Sequence, residues 1–378
     1  MVIEPEDDLH QCVKRIWDQE CITNPNDGEK APSIEDNKCY KRLEVESKFV
    51  NGKYQVPMIW KKDTILPNNR SLTESRFGQL QRRLIKDASL FKLYKETIDK
   101  YVASGYARKM TPDEAKNTQP RTWYLTHYTV FNLNKPGKIR VVFDAAAKFN
   151  GTSLNRSLST EPDLLNNMLG VIMRFRTHTF SADIEEMFNQ VRVNEEDSLR
   201  FLWKDEIQSD EPPDTYQMLV HIMGATDSPT CANYALKRCA RDKQNQFDPA
   251  TIETVLRSFF VDDVLKSVPE VATGKHLFKE LIDLTRLGGN RLKKFVSNNQ
   301  ELLESIPEEL VSPSSNVKLE SYNQTTKSLG ICWNTKEDVL TFLPSVANAT
   351  NTKRGILSVI SSIYDPLGFL SPFITTAK

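Results

Sequence analysis

The 378-residue chain has no C-x-x-C pair, and its six cysteines and five histidines fall into no zinc-finger spacing. That excludes a zinc ribbon or finger and points to free thiols in a reducing compartment. Cys231 and Cys239 lie eight apart on an expected helix, which suits packing rather than bridging. No run approaches the roughly 18–20 apolar residues of a membrane span. The start, Met1-Val2-Ile3-Glu4-Pro5-Glu6-Asp7-Asp8, lacks the basic and apolar regions of a secretory signal. The expected location is therefore the cytoplasm, with no membrane partner. No internal repeat or low-complexity segment occurs. The absence of an Asp-Thr-Gly or Asp-Ser-Gly triplet leaves no aspartic peptidase site.

An excess of one charge is missing too, with 50 Lys and Arg against 50 Asp and Glu. The balance is uneven along the chain. Residues 1–39 hold ten acidic and four basic side chains, so the remainder is basic. Its cations cluster at Arg82-Arg83 through Lys109, at Lys135 to Lys148 and at Arg286 to Lys294. Three such clusters suit a polyanionic partner. Hydrophobic content of 39% and charged content of 26% fit a soluble globular protein of two or three substructures.

The patterning is α+β with antiparallel pairing rather than alternating βαβ units. Residues 1–40 read as an acidic, irregular tail. A stripe of Leu80, Leu84, Leu90, Leu93, Ile98 and Tyr101 predicts a helix over 72–104. Trp123–Phe131 and Lys138–Asp144 read as a hairpin around Asn134-Lys135-Pro136-Gly137. A helix is expected over 163–176, with strands at 179–183, 190–193, 199–203 and 216–222. Asp227-Ser228-Pro229 opens a helix as N-cap and first-turn proline. A helix near 274–287 and strands near 291–297 and at Lys327–Trp333 follow.

Phe259-Phe260-Val261-Asp262-Asp263-Val264-Leu265 sets two carboxylates inside an aromatic and β-branched run, where strands avoid charge. A turn at the pair puts Asp262 and Asp263 at a hairpin tip. Upstream, Thr179-Phe180-Ser181-Ala182-Asp183-Ile184 ends a second β-type run on an Asp. Two strands with terminal Asp residues can hold a pair of Mg²⁺ ions for nucleotidyl transfer. Neighbouring strand residues point to opposite faces, so Asp262 and Asp263 serve unequally. Lys138 and Arg140 share one face of an expected strand and suit phosphates. Gly224-Ala225-Thr226-Asp227-Ser228-Pro229 leads into a helix with small Cys231, Ala232 and Ala235, a surface that allows close approach.

The order of these blocks resembles reverse transcriptases, and more narrowly the polymerase region of BEL/Pao-type LTR retrotransposons, over about residues 40–378. The resemblance rests on Leu66-Pro67-Asn68-Asn69-Arg70-Ser71, Arg140-Val141-Val142-Phe143-Asp144-Ala145-Ala146-Ala147-Lys148 and Asn150-Gly151-Thr152-Ser153-Leu154-Asn155. Ser181-Ala182-Asp183-Ile184, Phe260-Val261-Asp262-Asp263, Leu329-Gly330-Ile331-Cys332-Trp333 and Tyr364-Asp365-Pro366-Leu367-Gly368-Phe369 complete it. Phe260 stands where most reverse transcriptases have Tyr, Met223 where many have Gln, and Asn290 where an aromatic is usual.

The resemblance implies a right-hand polymerase with fingers, a palm built on an antiparallel sheet packed by helices, and an incomplete thumb. Its parts are an acidic linker at 1–45, fingers at 46–150 with 191–227, palm at 151–335, and the start of a thumb or connection at 336–378. Asp183, Asp262 and Asp263 match the palm carboxylates, with Asp183, Ile184 and Asp262 as ligands of Mg²⁺, for which Mn²⁺ substitutes. Lys138 and Arg140 match contacts to the incoming triphosphate, and Phe188 the aromatic that screens against a 2′-hydroxyl. Gly224, Ser228 and Pro229 match the block beside template and nucleotide. Lys294, with Lys293 as competitor, matches the lysine that assists pyrophosphate departure. The implied partners are an RNA template, a DNA primer, the RNA–DNA hybrid and dNTPs. Protease, RNase H and integrase domains of a longer polyprotein are also implied, with a virus-like particle in the cytoplasm. The alternative is a catalytically inactive, truncated relic that only binds nucleic acid.

Overall fold

The computed structural model describes residues 33–62, 64–131, 137–160, 162–175, 178–194 and 196–312, and shorter stretches between 325 and 377. Helix and sheet are mixed, and two hydrophobic cores organise them, each around one four-stranded sheet.

The first sheet runs Phe259–Phe260, Asp263–Val268, His178–Ile184 and Leu292–Ser297, antiparallel throughout. His178–Ile184 lies inside it, so both of its edges are hydrogen-bonded. Phe180 meets Phe278 edge-on at 4.4 Å and stacks near Phe295 at 6.4 Å. The helices Ser228–Asp242, Pro249–Arg257 and Val271–Leu287 contribute to the same core. Ser228–Asp242 packs closely because Cys231, Ala232, Ala235, Cys239 and Ala240 are small and buried. Both cysteines are free thiols in that packing.

The second sheet runs Ala107–Lys109, Asp214–Met218, Ser198–Trp203 and Thr122–Tyr124. Its last pair is parallel, against the antiparallel pairing expected. Trp203 stacks on Tyr94 at 5.1 Å and Phe91 at 6.1 Å, anchoring the helix Ala88–Ala103 over the sheet. Thr126–Phe131 and Ile139–Asp144 form a separate antiparallel hairpin beside it.

Several boundaries differ from the sequence reading, each for a local reason. The acidic tail contains a helix, Ile34–Glu46, opened by a capping box between Ser33 and Asp36 and held by buried Leu43. The helix expected over 72–104 is two, Arg70–Lys86 and Ala88–Ala103. Asp87 between them is extended, and its carboxylate accepts from the Leu90 N–H at 2.9 Å, starting a new helix. The strand expected over 123–131 divides at Leu125 between two sheets. The helix expected over 163–176 shortens to Met168–Met173, capped by Asn167.

At 190–193 no regular strand forms. A 3₁₀ turn, Met187–Gln190, precedes single bridges from Arg192 to Gln55 and Val220. Lys327–Trp333 belongs to two strands, Thr325–Ser328 and Ile331–Asn334. Leu329-Gly330, the turn at 134–136 and residues 1–32 lie outside the described residues. Among the described residues no helix is long and apolar enough to cross a membrane.

Candidate active site

Asp183 is flanked on both sides at one level of the first sheet. Its Cα pairs with Asp263 on one neighbouring strand and with Lys293 on the other. Phe260 pairs with Asp263, so the two-residue hairpin turn is Val261-Asp262, one residue earlier than the Asp262-Asp263 tip the sequence suggests, and Asp263 already lies in the second strand. Val261 has φ +53°, a left-handed conformation that is strained for a β-branched side chain. The surroundings hold that strain. Asn166 Nδ2 donates to Phe259 O at 2.7 Å, and the Ile184 N–H donates to Asp262 O at 2.8 Å. The hairpin tip is thereby tied to the end of the Asp183 strand. Burial raises the pKa of the half-buried Asp262 carboxyl, and the neighbouring negative charge of Asp183 adds to the shift.

The lysine strand is irregular where it meets the acids. Its register shifts between Lys293 and Val296, and Lys294 has φ +57°. This bulge aims the two lysines at different acids. Lys294 Nζ lies 2.5 Å from Asp183 Oδ2, while Lys293 pairs with Glu185. Glu185 has no role in the sequence reading. Its signal is its place two residues after Asp183, the spacing that returns a strand side chain to the same face.

Phe188 sits in the 3₁₀ turn and packs, partly buried, against the first core. A polar network fixes the turn from outside. Glu186, at φ +50°, accepts from Lys100 Nζ at 2.5 Å and Tyr106 Oη at 3.0 Å. Gln190 donates to Tyr106 Oη at 3.1 Å and accepts from Lys53 Nζ at 2.9 Å. Burial lowers the pKa of Lys53, with nearby Arg192 adding to the effect.

Gly224 has φ +107°, which a glycine adopts readily. A Cβ there would lie 3.5 Å from Phe143 O, so this turn rests on the Ile139–Asp144 strand. Asn155 holds the turn at both ends, donating to Gly224 O at 2.9 Å and accepting from the Thr226 N–H at 3.1 Å. Ser228 is buried and Pro229 occupies the first helical turn. Asp227 stands at the N-cap, but its side chain does not cap this helix as the sequence suggests. It accepts instead from the Ile59 N–H at 2.9 Å.

Lys138 and Arg140 are exposed, Arg140 on the Thr126–Phe131/Ile139–Asp144 hairpin and Lys138 just before its second strand. That hairpin pairs with no strand of the carboxylate sheet. Trp333, in the resembling strand Ile331–Asn334, packs edge-on against Phe175 at 4.7 Å. The structure therefore gathers Asp183, Asp262, Asp263 and Lys294 at one end of a sheet. Lys138, Arg140 and Gly224 belong instead to the Thr126–Phe131/Ile139–Asp144 hairpin and the turn that rests on it, which pack with the second core.

No protein-family model matches the chain, and no curated protein matches it. It is similar to a solved structure of a foamy viral protease–reverse transcriptase in complex with double-stranded DNA, at 14% identity and a TM-score of 0.47. The alignment covers 74% of this chain and 43% of that one, so this chain spans less than half of its length.

Proposed function

We propose that this chain is the polymerase part of a BEL/Pao-type retroelement, an RNA-directed DNA polymerase that extends a primer 3′-hydroxyl by nucleotidyl transfer. The observation that carries the reading is the convergence of Asp183, Asp262 and Asp263 at one sheet end, with the Lys294 ammonium on Asp183. In this reading the carboxylate sheet and its helices are the palm. The second core and the Thr126–Phe131/Ile139–Asp144 hairpin belong to the fingers, and residues 336–378 begin a thumb or connection.

The donor set fits Mg²⁺, with Mn²⁺ as substitute, because clustered carboxylate oxygens suit a hard cation. Burial chiefly, and then the neighbouring charge of Asp183, raise the pKa of Asp262, and a cation there would offset that charge. Asp183 and Asp262 would hold the ion with the main chain of Ile184. When bound, Mg²⁺ would neutralise triphosphate charge and favour the ionised primer hydroxyl.

The other residues have positional roles. Lys294 Nζ is placed to give a proton to the departing pyrophosphate. Phe188, braced by the Glu186 network, forms a wall against a 2′-hydroxyl. Gly224, held by Asn155, lets template and nucleotide approach the backbone. Lys138 and Arg140 are exposed cations for the triphosphate, whose charge a protein stabilises by positioned cations. The partners of this reading are an RNA template, a DNA primer, their hybrid and dNTPs, in the cytoplasm, with protease, RNase H and integrase as further polyprotein parts.

The test is Mg²⁺-dependent primer extension on an RNA template by the purified chain and by Asp262→Asn. Extension by the wild type alone supports the reading. Equal extension by both removes Asp262 from the site. No extension by a folded chain that retains salt-sensitive duplex binding marks a non-catalytic nucleic-acid-binding protein.

A further inference from the structure

A second group of chemically active side chains lies inside the molecule, apart from the carboxylate sheet end. The segment 56–59 is clamped between His221 and the start of the helix Ser228–Asp242. His221 Nε2 meets Val56 O at 3.1 Å. A carbonyl only accepts, so Nε2 carries the hydrogen and Nδ1 keeps its lone pair in the neutral ring. Asp227 Oδ2 accepts from the Ile59 N–H at 2.9 Å, and Cys231 Sγ lies 3.6 Å from Pro57 O.

These contacts leave one atom of each anchored polar side chain unused. His221 Nδ1 and Asp227 Oδ1 have no hydrogen-bond partner, although His221 is 1% exposed and Asp227 0%. His221, Asp227 and Cys231 each bring one ligand atom, a ring nitrogen, a carboxylate oxygen and Sγ, within 4.8 Å of the other two. Two buried acceptors without a donor, on neighbouring side chains, are unfavourable by themselves. A cation between them reverses that.

We propose that His221 Nδ1, Asp227 Oδ1 and Cys231 Sγ form a binding site for one divalent transition-metal ion of the zinc class. A nitrogen, oxygen and sulfur donor set selects such an ion over Mg²⁺ or Ca²⁺. Asp227 and Cys231 are four residues apart, about one helical turn, so they face the same side. Ligands about 2.0–2.3 Å from a tetrahedral ion stand about 3.3–3.8 Å apart, so the cluster closes by at most about 1.5 Å.

The outer contacts match those of a metal site. A ligating histidine normally donates its other N–H to a carbonyl or carboxylate, as His221 does to Val56 O. The second oxygen of Asp227 is likewise held by a backbone N–H. Asp197 stands nearby with both oxygens used, by the Met58 N–H and Trp60 Nε1, and adds negative charge to the pocket. Binding displaces the Cys231 thiol proton to solvent and leaves a thiolate on the ion. The ion links three distant segments: 56–59, His221 just before the Gly224 turn, and the helix that follows it. Sequence spacing conceals this site because its ligands are a histidine six residues before an N-cap aspartate and a cysteine one turn after it.

The test is Co²⁺ titration of the full chain after chelator treatment. The site predicts an intense thiolate-to-cobalt charge-transfer band that saturates at one ion per chain, with a higher thermal midpoint in Zn²⁺ than in chelator. Cys231→Ser removes the band and the midpoint rise, whereas Cys239→Ser keeps both. Asp227→Asn preserves volume and the acceptor for Ile59, and is expected to weaken Co²⁺ binding by about tenfold or more while far-ultraviolet circular dichroism stays native. A folded wild-type chain without the band overturns the proposal, as does a band that survives Cys231→Ser. If Cys231→Ser does not fold, unchanged Co²⁺ affinity in Asp227→Asn overturns it. Polymerase activity enters none of these readouts.

Discussion

Lys294 reaches Asp183, with Nζ 2.5 Å from Oδ2, because the lysine strand bulges. In a regular strand the residue paired opposite Asp183 is Lys293, and its ammonium lies on Glu185 instead. The bulge thus separates two adjacent lysines that a sequence leaves as competitors. In the proposed polymerase the chemical role falls to Lys294, on Asp183, and a bracing role to Lys293, on Glu185.

Lys294→Met is therefore expected to lower single-nucleotide incorporation by about 100-fold or more, within the range for a positioned proton donor. Lys293→Met is expected to change it far less. Rapid-quench incorporation with each variant checks this, and the reverse order contradicts the assignment.

Asn155→Ala removes the two hydrogen bonds that fix the Gly224 turn. The expected cost is about 1–2 kcal/mol of stability. If the turn lines the nucleotide site, KM for dNTP rises more than kcat falls. Urea unfolding and steady-state kinetics on the same preparation separate the two effects.

Gly289→Ala is expected to be among the most damaging glycine substitutions. At φ +81° its Cβ would lie 2.9 Å from Gly52 O, a backbone atom that moves little. Strain and clash together predict a loss of about 2–4 kcal/mol. Gly105→Ala, at φ +69° in open space, carries only the left-handed cost of about 1–2 kcal/mol. Equal urea midpoints for the two variants contradict this packing.

His127 is buried with both ring nitrogens engaged, by Tyr94 Oη and by Leu202 O at 2.8 Å. Burial lowers its pKa from 6.5 to about 4. The unfolded chain takes up a proton near 6.5 and the folded chain only near 4, so the unfolded state binds more protons in between. Stability is then complete above pH 6.5 and falls as pH drops toward 4, by up to about 3 kcal/mol from this residue. Imidazole NMR titration checks it directly. A His127 midpoint near 6.5 in the folded chain contradicts the buried neutral ring.

Much of the carboxylate sheet was legible because charge inside β-branched runs is conspicuous. The Asp183 strand forms where the sequence puts it, and the hairpin turn falls one residue earlier than expected, at Val261-Asp262, because Asp263 pairs with Phe260. What sequence could not show are side chains redirected by distant partners. Asp227 has the form of an N-cap, yet its carboxylate serves Ile59, 168 residues away in sequence. The helix Ile34–Glu46 hides in acidic composition because a capping box and one buried leucine hold it, rather than a broad apolar stripe. Asp87 interrupts an apolar stripe that itself runs on, so a cap decides what periodicity does not.

The central claim is that Asp183, Asp262 and Asp263 form a working metal-dependent centre for nucleotidyl transfer. The most direct measurement is Mg²⁺-dependent primer extension on RNA by the wild type beside the Asp262→Asn/Asp263→Asn double variant. Duplex binding is measured on both proteins to confirm that each is intact. The account predicts extension by the wild type alone, with duplex binding retained by both. Extension by the double variant, or none by a wild type that binds duplex, contradicts it.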